Sequence, residues 1–425
     1  MRKRFLCLGI AGLCLGLVAG PAAGEVESEE APAERRFTLR TGLKSSLLIS
    51  RGPKDPLLPS ERDEATALWR LRFDLTARLS EETTAAVAYE HRARVVSEGR
   101  QTALSLGILP PAAPAPYRIW QLDAELASAG DSFEYRHELD RAYVAKRIPR
   151  GELTVGRQAV GWGRGVLFSA VDLFAPFSPL EVDREWRRGV DAVRAEVRLS
   201  DTTSLDAVAA FGESLAQSAF VGRLRGYRGR VDAEVIFGKR ARDVMAAGTV
   251  SAAVGDAEAH AELAIFNTPE AFPDSGLFGA DHLVPKAVVG GSYTFSVGQG
   301  LTLLGEYHYS GFGAGSFAEA IQRLLDPQFR ERFLRGDTQI VERQAAALQA
   351  SYPVNEALSS SLLWLHSLQD GSGVVVPALS WNISDQLGLT GQLFFPYGRG
   401  PLNGVPRTEY GNSDLTGFVQ LRLDY

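Results

Sequence analysis

Trp69-Arg70-Leu71-Arg72-Phe73-Asp74-Leu75-Thr76-Ala77-Arg78-Leu79 is the stretch on which the fold turns. Trp69, Leu71, Phe73, Leu75, Ala77 and Leu79 alternate without a break with Arg70, Arg72, Asp74, Thr76 and Arg78. A strict period of two puts these sets on opposite faces of a β-strand, one suited to hydrocarbon and one to water. The run is about twice the ~5–6 residues of an ordinary soluble strand and matches the ~9–11 that a tilted strand needs to cross a bilayer.

Working outward, the same alternation closes the chain, where Leu415, Gly417, Val419, Leu421, Leu423 and Tyr425 interleave with Thr416, Phe418, Gln420, Arg422 and Asp424. Eighteen such segments follow one another, at 37–49, 67–79, 84–96, 133–148, 151–160, 188–199, 203–212, 218–228, 230–238, 245–254, 257–266, 287–297, 301–310, 340–352, 357–367, 374–384, 387–396 and 415–425. Short connectors rich in turn formers, among them Ser80-Glu81-Glu82-Thr83, Pro149-Arg150, Gly255-Asp256 and Asp385-Gln386, alternate with long ones at 50–66, 97–132, 161–187, 267–286, 311–339 and 397–414. Outer-membrane barrels are built this way, with short periplasmic turns and long external loops, and an even strand count leaves both termini in the periplasm. The segment 117–127 offers a further strand, 133–148 does not declare its faces, and both faces of 357–367 are apolar. A soluble sandwich would have shorter strands and no asymmetry between alternate connectors. The expected fold is therefore all-β, a transmembrane antiparallel up-and-down β-barrel of about 18 strands. Tyr89, Tyr293, Phe295, Tyr307, Tyr309, Phe395, Tyr397 and Tyr425 fall at the outward parity, many near strand ends, where rings form interface girdles.

Composition agrees. The 425 residues have a mean hydropathy of −0.07, and no apolar run near 20 residues follows the N-terminus, which excludes a bundle of membrane helices. Residues 1–24 form a secretory signal: Arg2, Lys3 and Arg4 precede an apolar run from Phe5 to Val18, and Ala22-Ala23-Gly24 supplies small residues for cleavage. Residues 25–35 follow as a short periplasmic segment, and 36–425 as the barrel. Cys7 and Cys14 both lie in the leader, and Leu13 is too bulky for a lipoprotein signal. An exported, cysteine-free mature chain suits a bacterial envelope protein rather than a small disulfide-stapled module. The formal charge of −6, more negative without the leader, gives no footprint for nucleic acid.

The terminal strand Val419-Gln420-Leu421-Arg422-Leu423-Asp424-Tyr425, closed by an aromatic, resembles the signature that bacterial outer-membrane barrels present to their assembly machinery. Eighteen strands resembles the carboxylate-selective and alginate-export porins. Gly156-Arg157-Gln158, the loop with Gly161-Trp162-Gly163, and Arg188-Gly189-Val190-Asp191-Ala192-Val193-Arg194 look similar to the latter and to related porin-like proteins. The resemblance implies outer-membrane lipid and the barrel-assembly machinery as partners, and names no substrate.

Catalysis finds little support. The histidines His91, His137, His260, His282, His308 and His366 form no metal-ligand spacing, and no Gly-x-Ser-x-Gly elbow is present. His308-Tyr309-Ser310 resembles the arrangement of outer-membrane phospholipases, but its His and Ser take the inward parity. Gly161-Trp162-Gly163-Arg164-Gly165 is not followed by the Lys-Ser/Thr of a phosphate loop. No cofactor or metal is expected.

The lumen is more informative. By parity, the first three strands send inward Arg40, Lys44, Arg70, Arg72, Arg78, Arg92 and Arg94 against Asp74 and Glu90. Further round come Asp206, Asp232, Glu234, Glu258, Glu262 and Glu306, offset by Arg194, Arg198, Arg223, Arg225 and Arg343. An arginine stripe facing a more acidic wall focuses a field across a pore, and guanidinium forks suit carboxylates and phosphates. The alternative is that these charges pair with one another and brace the wall. Loop 161–187, with Asp172, Asp183, Arg184, Glu185 and Arg187 among apolar residues, either folds into the mouth as a constriction or packs on itself outside. Residues 317–334 have helical spacing interrupted at Pro327. The expected function is passive diffusion of small hydrophilic, anionic solutes through an outer-membrane porin. Alternatives are an export conduit for an acidic polysaccharide, a docking or structural barrel, and a barrel hydrolase.

Overall fold

The computed structural model describes residues 36–51, 64–97, 108–109, 115–130 and 132–425; the expected leader 1–24 and segment 25–35 lie outside the described residues. The strands are β1 (Phe37–Ser50), β2 (Glu64–Arg78), β3 (Thr83–Val96), β4 (Asp123–Ala129), β5 (Phe133–Ile148), β6 (Gly151–Gln158), β7 (Val190–Arg198), β8 (Thr203–Ala210), β9 (Ala219–Arg228), β10 (Val231–Arg240), β11 (Asp243–Val254), β12 (Ala257–Asn267), β13 (Leu283–Phe295), β14 (Leu301–Ser310), β15 (Gln344–Pro353), β16 (Leu358–Ser367), β17 (Gly373–Asn382), β18 (Leu387–Tyr397) and β19 (Thr416–Asp424). All but β4 form a closed antiparallel barrel of 18 strands, sealed where β1 pairs with β19 from Gly42↔Asp424 to Ser50↔Thr416. Closure leaves the wall without an edge. The last residue belongs to the seal, since Tyr425 and Thr41 exchange backbone hydrogen bonds of 2.7 and 2.8 Å.

β4 is the further strand foreseen near 117–127. β3 pairs directly with β5, and β4 pairs only with the part of β5 between Phe133 and Glu138. The reason lies in lengths: β5 has 16 residues, whereas its other neighbour β6 has 8 and reaches only from Gly151 to Arg157 along it. Arg157, at the end of β6, ties the arriving segment down. Its guanidinium donates to the carbonyls of Gln121 (2.9 Å), Leu139 (2.8 Å) and Trp120 while pairing with Asp191 at 2.7 Å.

A bulge explains why 133–148 does not declare its faces. The β3–β5 register shifts between Ala88 and Tyr89, whose partners are Arg141 and Leu139. Above it the inward residues are even-numbered, Glu134, Arg136 and Glu138; below it they are odd-numbered, Arg141, Tyr143 and Ala145. One extra residue opposite a single partner reverses parity.

The outward face is apolar. Val235, Phe237, Val289, Leu348 and Leu379 are each more than half exposed, with Phe237 at 65%. Burying such a side chain is worth roughly 1.5–3 kcal/mol, so a continuous belt of them needs hydrocarbon around it. Tyr307, Tyr309, Phe395 and Tyr397 edge this belt towards the long loops, and Tyr293, Phe295 and Tyr425 towards the short turns. In the longest described loop Pro327 separates two helices, α1 (Phe317–Arg323) and α2 (Pro327–Arg335). Ser316 caps the first and Asp326 the second, with Pro327 opening α2 where its missing N–H costs nothing.

Candidate functional site

Past Gln158 the chain leaves the wall, and until Val190 rejoins it the segment 159–189 lies inside the barrel. Ala170, Val171 and Phe174 have no exposed surface. What holds the segment is a set of inward carboxylates. Glu306 of β14 accepts hydrogen bonds from the backbone N–H groups of Val166, Leu167 and Phe168 at 2.6, 3.0 and 2.9 Å. Glu262 of β12 accepts from Gly165 (2.9 Å), Ala170 (2.6 Å) and the Ser169 hydroxyl (2.9 Å). Asp206 of β8 accepts from the Trp162 indole at 3.2 Å, and Asp232 and Glu234 of β10 hold Arg164 at 2.7 and 2.9 Å. Arg240 donates to the Leu173 carbonyl at 2.9 Å. A buried anion needs several donors, and a loop rich in free N–H groups needs acceptors. The acidic wall read from the sequence is engaged in anchoring this loop.

The basic residues follow a different geometry. Arg136 of β5 is opposite Arg92 of β3, Arg92 opposite Arg70 of β2, Arg70 opposite Lys44 of β1, and Lys44 opposite Arg422 of β19. Five cations on five consecutive strands thus form one cross-strand row. Because strands in such barrels tilt by ~35–45°, a row perpendicular to them climbs the wall as a ramp. Carboxylates flank it: Glu90 takes a two-pronged contact from Arg70 at 3.0 and 2.9 Å and also binds Arg92. Glu138 pairs with Arg92 at 3.0 Å, and Arg136 with Asp123 at 2.8 Å. Arg72 lies beside the ramp, bound to Asp140 at 2.7 Å, and Arg94 pairs with Glu134 at 2.9 Å. Arg40 and Arg78 sit exposed towards the short-turn end. The seven residues of the expected stripe are therefore not equivalent. Lys44, Arg70 and Arg72 are almost wholly buried, Arg92 and Arg94 are partly open, and Arg40 and Arg78 face the lumen water.

Loop and ramp meet. Asp183 bonds Lys44 and Arg70, both at 2.6 Å, and Glu185 bonds Lys44 at 2.7 Å. Trp186 lies between them, its ring 3.8 Å from the Lys44 ammonium and 4.9 and 5.2 Å from the guanidinium carbons of Arg70 and Arg72. Gly42 makes the seat, since a Cβ there would come within 3.0 Å of the indole. The other three expected loop residues stay within the loop. Arg187 pairs with Asp172 at 2.5 Å, and Arg184 donates to the carbonyls of Pro179 (2.6 Å) and Val166 (3.0 Å). Burial pushes Glu181 up to about 7, so that this carboxyl is only partly charged at neutral pH, and burial also raises Asp172 despite Arg187.

The residues that carried the family resemblance fall together. Asp191 pairs with Arg157, and Gly189, just before β7, lies so close to β5 that a Cβ there would be 2.0 Å from the Asp140 carbonyl oxygen. Arg118, without exposed side-chain surface, bridges Glu138 at 2.6 Å and the Gly189 carbonyl at 2.9 Å. His308 and Ser310 do face inward and are fully buried. The His308 ring stacks on Phe168 at 4.9 Å with neither nitrogen hydrogen-bonded, and Ser310 donates to the Asp337 carbonyl, so the two form no dyad. Sequence reasoning leaves Arg136 and Arg422 out of the basic stripe, although parity puts Arg422 on the wet face of the last strand. The first sits behind the bulge, and the second joins the ramp only through the β1–β19 register.

No protein-family model matches the chain, and no curated protein matches it in sequence. Solved structures do. OccAB1 of Acinetobacter baumannii superposes with a TM-score of 0.54 at 9% identity, over 94% of this chain and 99% of that one. A BenF-like porin from Pseudomonas fluorescens Pf-5 gives 0.53 at 10% identity, over 91% and 98%. Pseudomonas aeruginosa OpdK, solved with vanillate, gives 0.50 at 11% identity, over 91% and 98%. At such identities the likeness is one of fold: the chain has the barrel architecture of outer-membrane porins.

Proposed function

We propose that this chain is an outer-membrane channel for passive diffusion of small hydrophilic solutes, with a preference for anions. One observation carries the proposal. The ramp Arg136–Arg92–Arg70–Lys44–Arg422 already binds carboxylates, those of the chain's own Asp183 and Glu185, so its spacing suits that group. Vanillate, found with the similarly folded OpdK, is itself a carboxylate. The alternatives lack such support. An export conduit for a polysaccharide wants an unobstructed lumen, whereas segment 159–189 narrows this one; a hydrolase wants its His and Ser in contact.

Planar-bilayer recording tests the proposal. In a potassium chloride gradient the reversal potential should lie on the anion side. Arg136→Gln with Arg422→Gln should move it towards the cation side, most strongly below ~0.1 M salt, where the Debye length exceeds ~10 Å. These two are the ramp's more open members, with side chains 33% and 36% exposed, so the wall tolerates their loss. Absence of conductance would refute the channel, and an unchanged reversal potential would refute the anion preference.

A further inference from the structure

The lumen has two unlike sides. On β1–β3, on β5–β10 and again on β12, every strand turns at least one charged side chain inward. On β15–β18 no inward position is charged. The registers fix which residues these are: Ser351 faces Ser361 and Ala378 faces Gln392, while Ser380 faces Thr390, whose far neighbour is Gln420. The half of this wall towards the short turns is lined by Gln349, Ser351, Ser361, Ser380, Thr390 and Gln392, all half-buried and reachable from the lumen. Among the described residues, the hydrogen bonds and ion pairs of segment 159–189 to the wall go to β1, β2, β5, β8, β10, β12, β14 and β19. None goes to β15–β18. By its polar bonds the loop leans on the charged side; the long-loop half of the neutral wall, with Ala345, Leu365, Val374 and Phe394, is apolar and buried in the core, and the hydroxyl- and amide-lined short-turn half is the part left open to the lumen.

From this juxtaposition we infer that the permeating solutes are hydroxyl-rich carboxylates, of the sugar-acid type, rather than carboxylates with an apolar body. The inference rests on the channel reading above and narrows it. Hydroxyls and carboxamides both donate and accept, so they exchange hydrogen bonds with a polyol one for one as it sheds water. An alkyl or aryl body passing the same wall would displace water without replacing its bonds, leaving polar groups unsatisfied on one side. The ramp takes the carboxylate while the neutral wall takes the polyol.

The test compares two monocarboxylates of equal carbon number, gluconate and hexanoate, by reversal potentials against chloride with the full chain in planar bilayers. Neutral acid crossing the lipid carries no current and does not interfere. Gluconate should be the more permeant although it is bulkier. Ser361→Ala, Ser380→Ala, Thr390→Val and Gln392→Leu combined should lower gluconate permeability about tenfold, the worth of one or two net hydrogen bonds, while chloride conductance changes less than about twofold. Gln392→Leu alone should act in the same direction, which serves if the combined variant does not fold. Equal or greater permeability of hexanoate in the unaltered chain, or equal losses for both solutes in the variants, would overturn the inference while leaving the channel intact. Absence of chloride current would instead overturn the channel reading.

Discussion

Replacing Asp183 by asparagine probes the contact between loop and ramp at its tightest point. The substitution keeps the shape and removes one charge shared by Lys44 and Arg70 at 2.6 Å each, among side chains only 2–5% exposed. Removing one member of a buried ion pair costs ~3–5 kcal/mol, chiefly because the partner's charge is left uncompensated. Here Arg70 keeps its two-pronged bond to Glu90 and Lys44 keeps Glu185 at 2.7 Å, which sets the expectation at the low end, about 3 kcal/mol. At about 1.4 kcal/mol per decade that is on the order of a hundredfold more release of the 183–186 turn. Single-channel recordings should show a larger or more frequently visited open level. The reversal potential should move further to the anion side, since one negative charge leaves the ramp. Asp201→Asn, in a short turn far from the loop, is the control. Identical conductance levels and reversal potential in the Asp183 variant would refute both the seating of the loop and its influence on permeation.

Other perturbations test separate links. Leu71→Arg places a charge on the outward belt and should destabilise the barrel or block its assembly by ~2–4 kcal/mol near mid-membrane, whereas Thr76→Arg, facing the lumen, should be tolerated; equal heat-modifiability of the two would refute the parity. Deleting Tyr425 removes both backbone bonds to Thr41 at the seam, so the yield of folded barrel should fall, read by the gel shift on heating. In the long loops, burial pushes Glu342 up to about 7 and Glu409 up to about 8. Because folding raises these values, the loops are tightest at low pH and loosen as pH rises through about 7–8. Protease nicking of these loops should therefore increase from pH 5.5 to 8.5, and Glu409→Gln should flatten the rise.

Most strands were legible because they carry their own wet and dry faces, 133–148 and 357–367 being the exceptions; 69–79 states the fold without reference to any other segment. The bulge was not, since nothing in Leu139-Asp140-Arg141 announces that two neighbours will face the same way. The ramp was half legible. Parity assigns Lys44, Arg70 and Arg92 to the lumen, but their alignment into one row is a property of register, which no single strand encodes. The infolding of 159–189 depends on partners as distant as Lys44 and Asp183, 139 residues apart, and composition gives such pairs no mark.

The row of cations crosses the seam between the first and last strands, and that has a consequence for biogenesis. In an unsealed sheet Lys44 and Arg422 stand at opposite ends of the polypeptide's order of synthesis, and the row stops at Lys44. Zipping β1 to β19 brings the two like charges side by side, an opposition that disfavours the closing step. Glu185 spans that junction, 2.7 Å from Lys44 and 3.9 Å from Arg422, and neutralises it. The loop seated inside the barrel is thus also a clasp for the join.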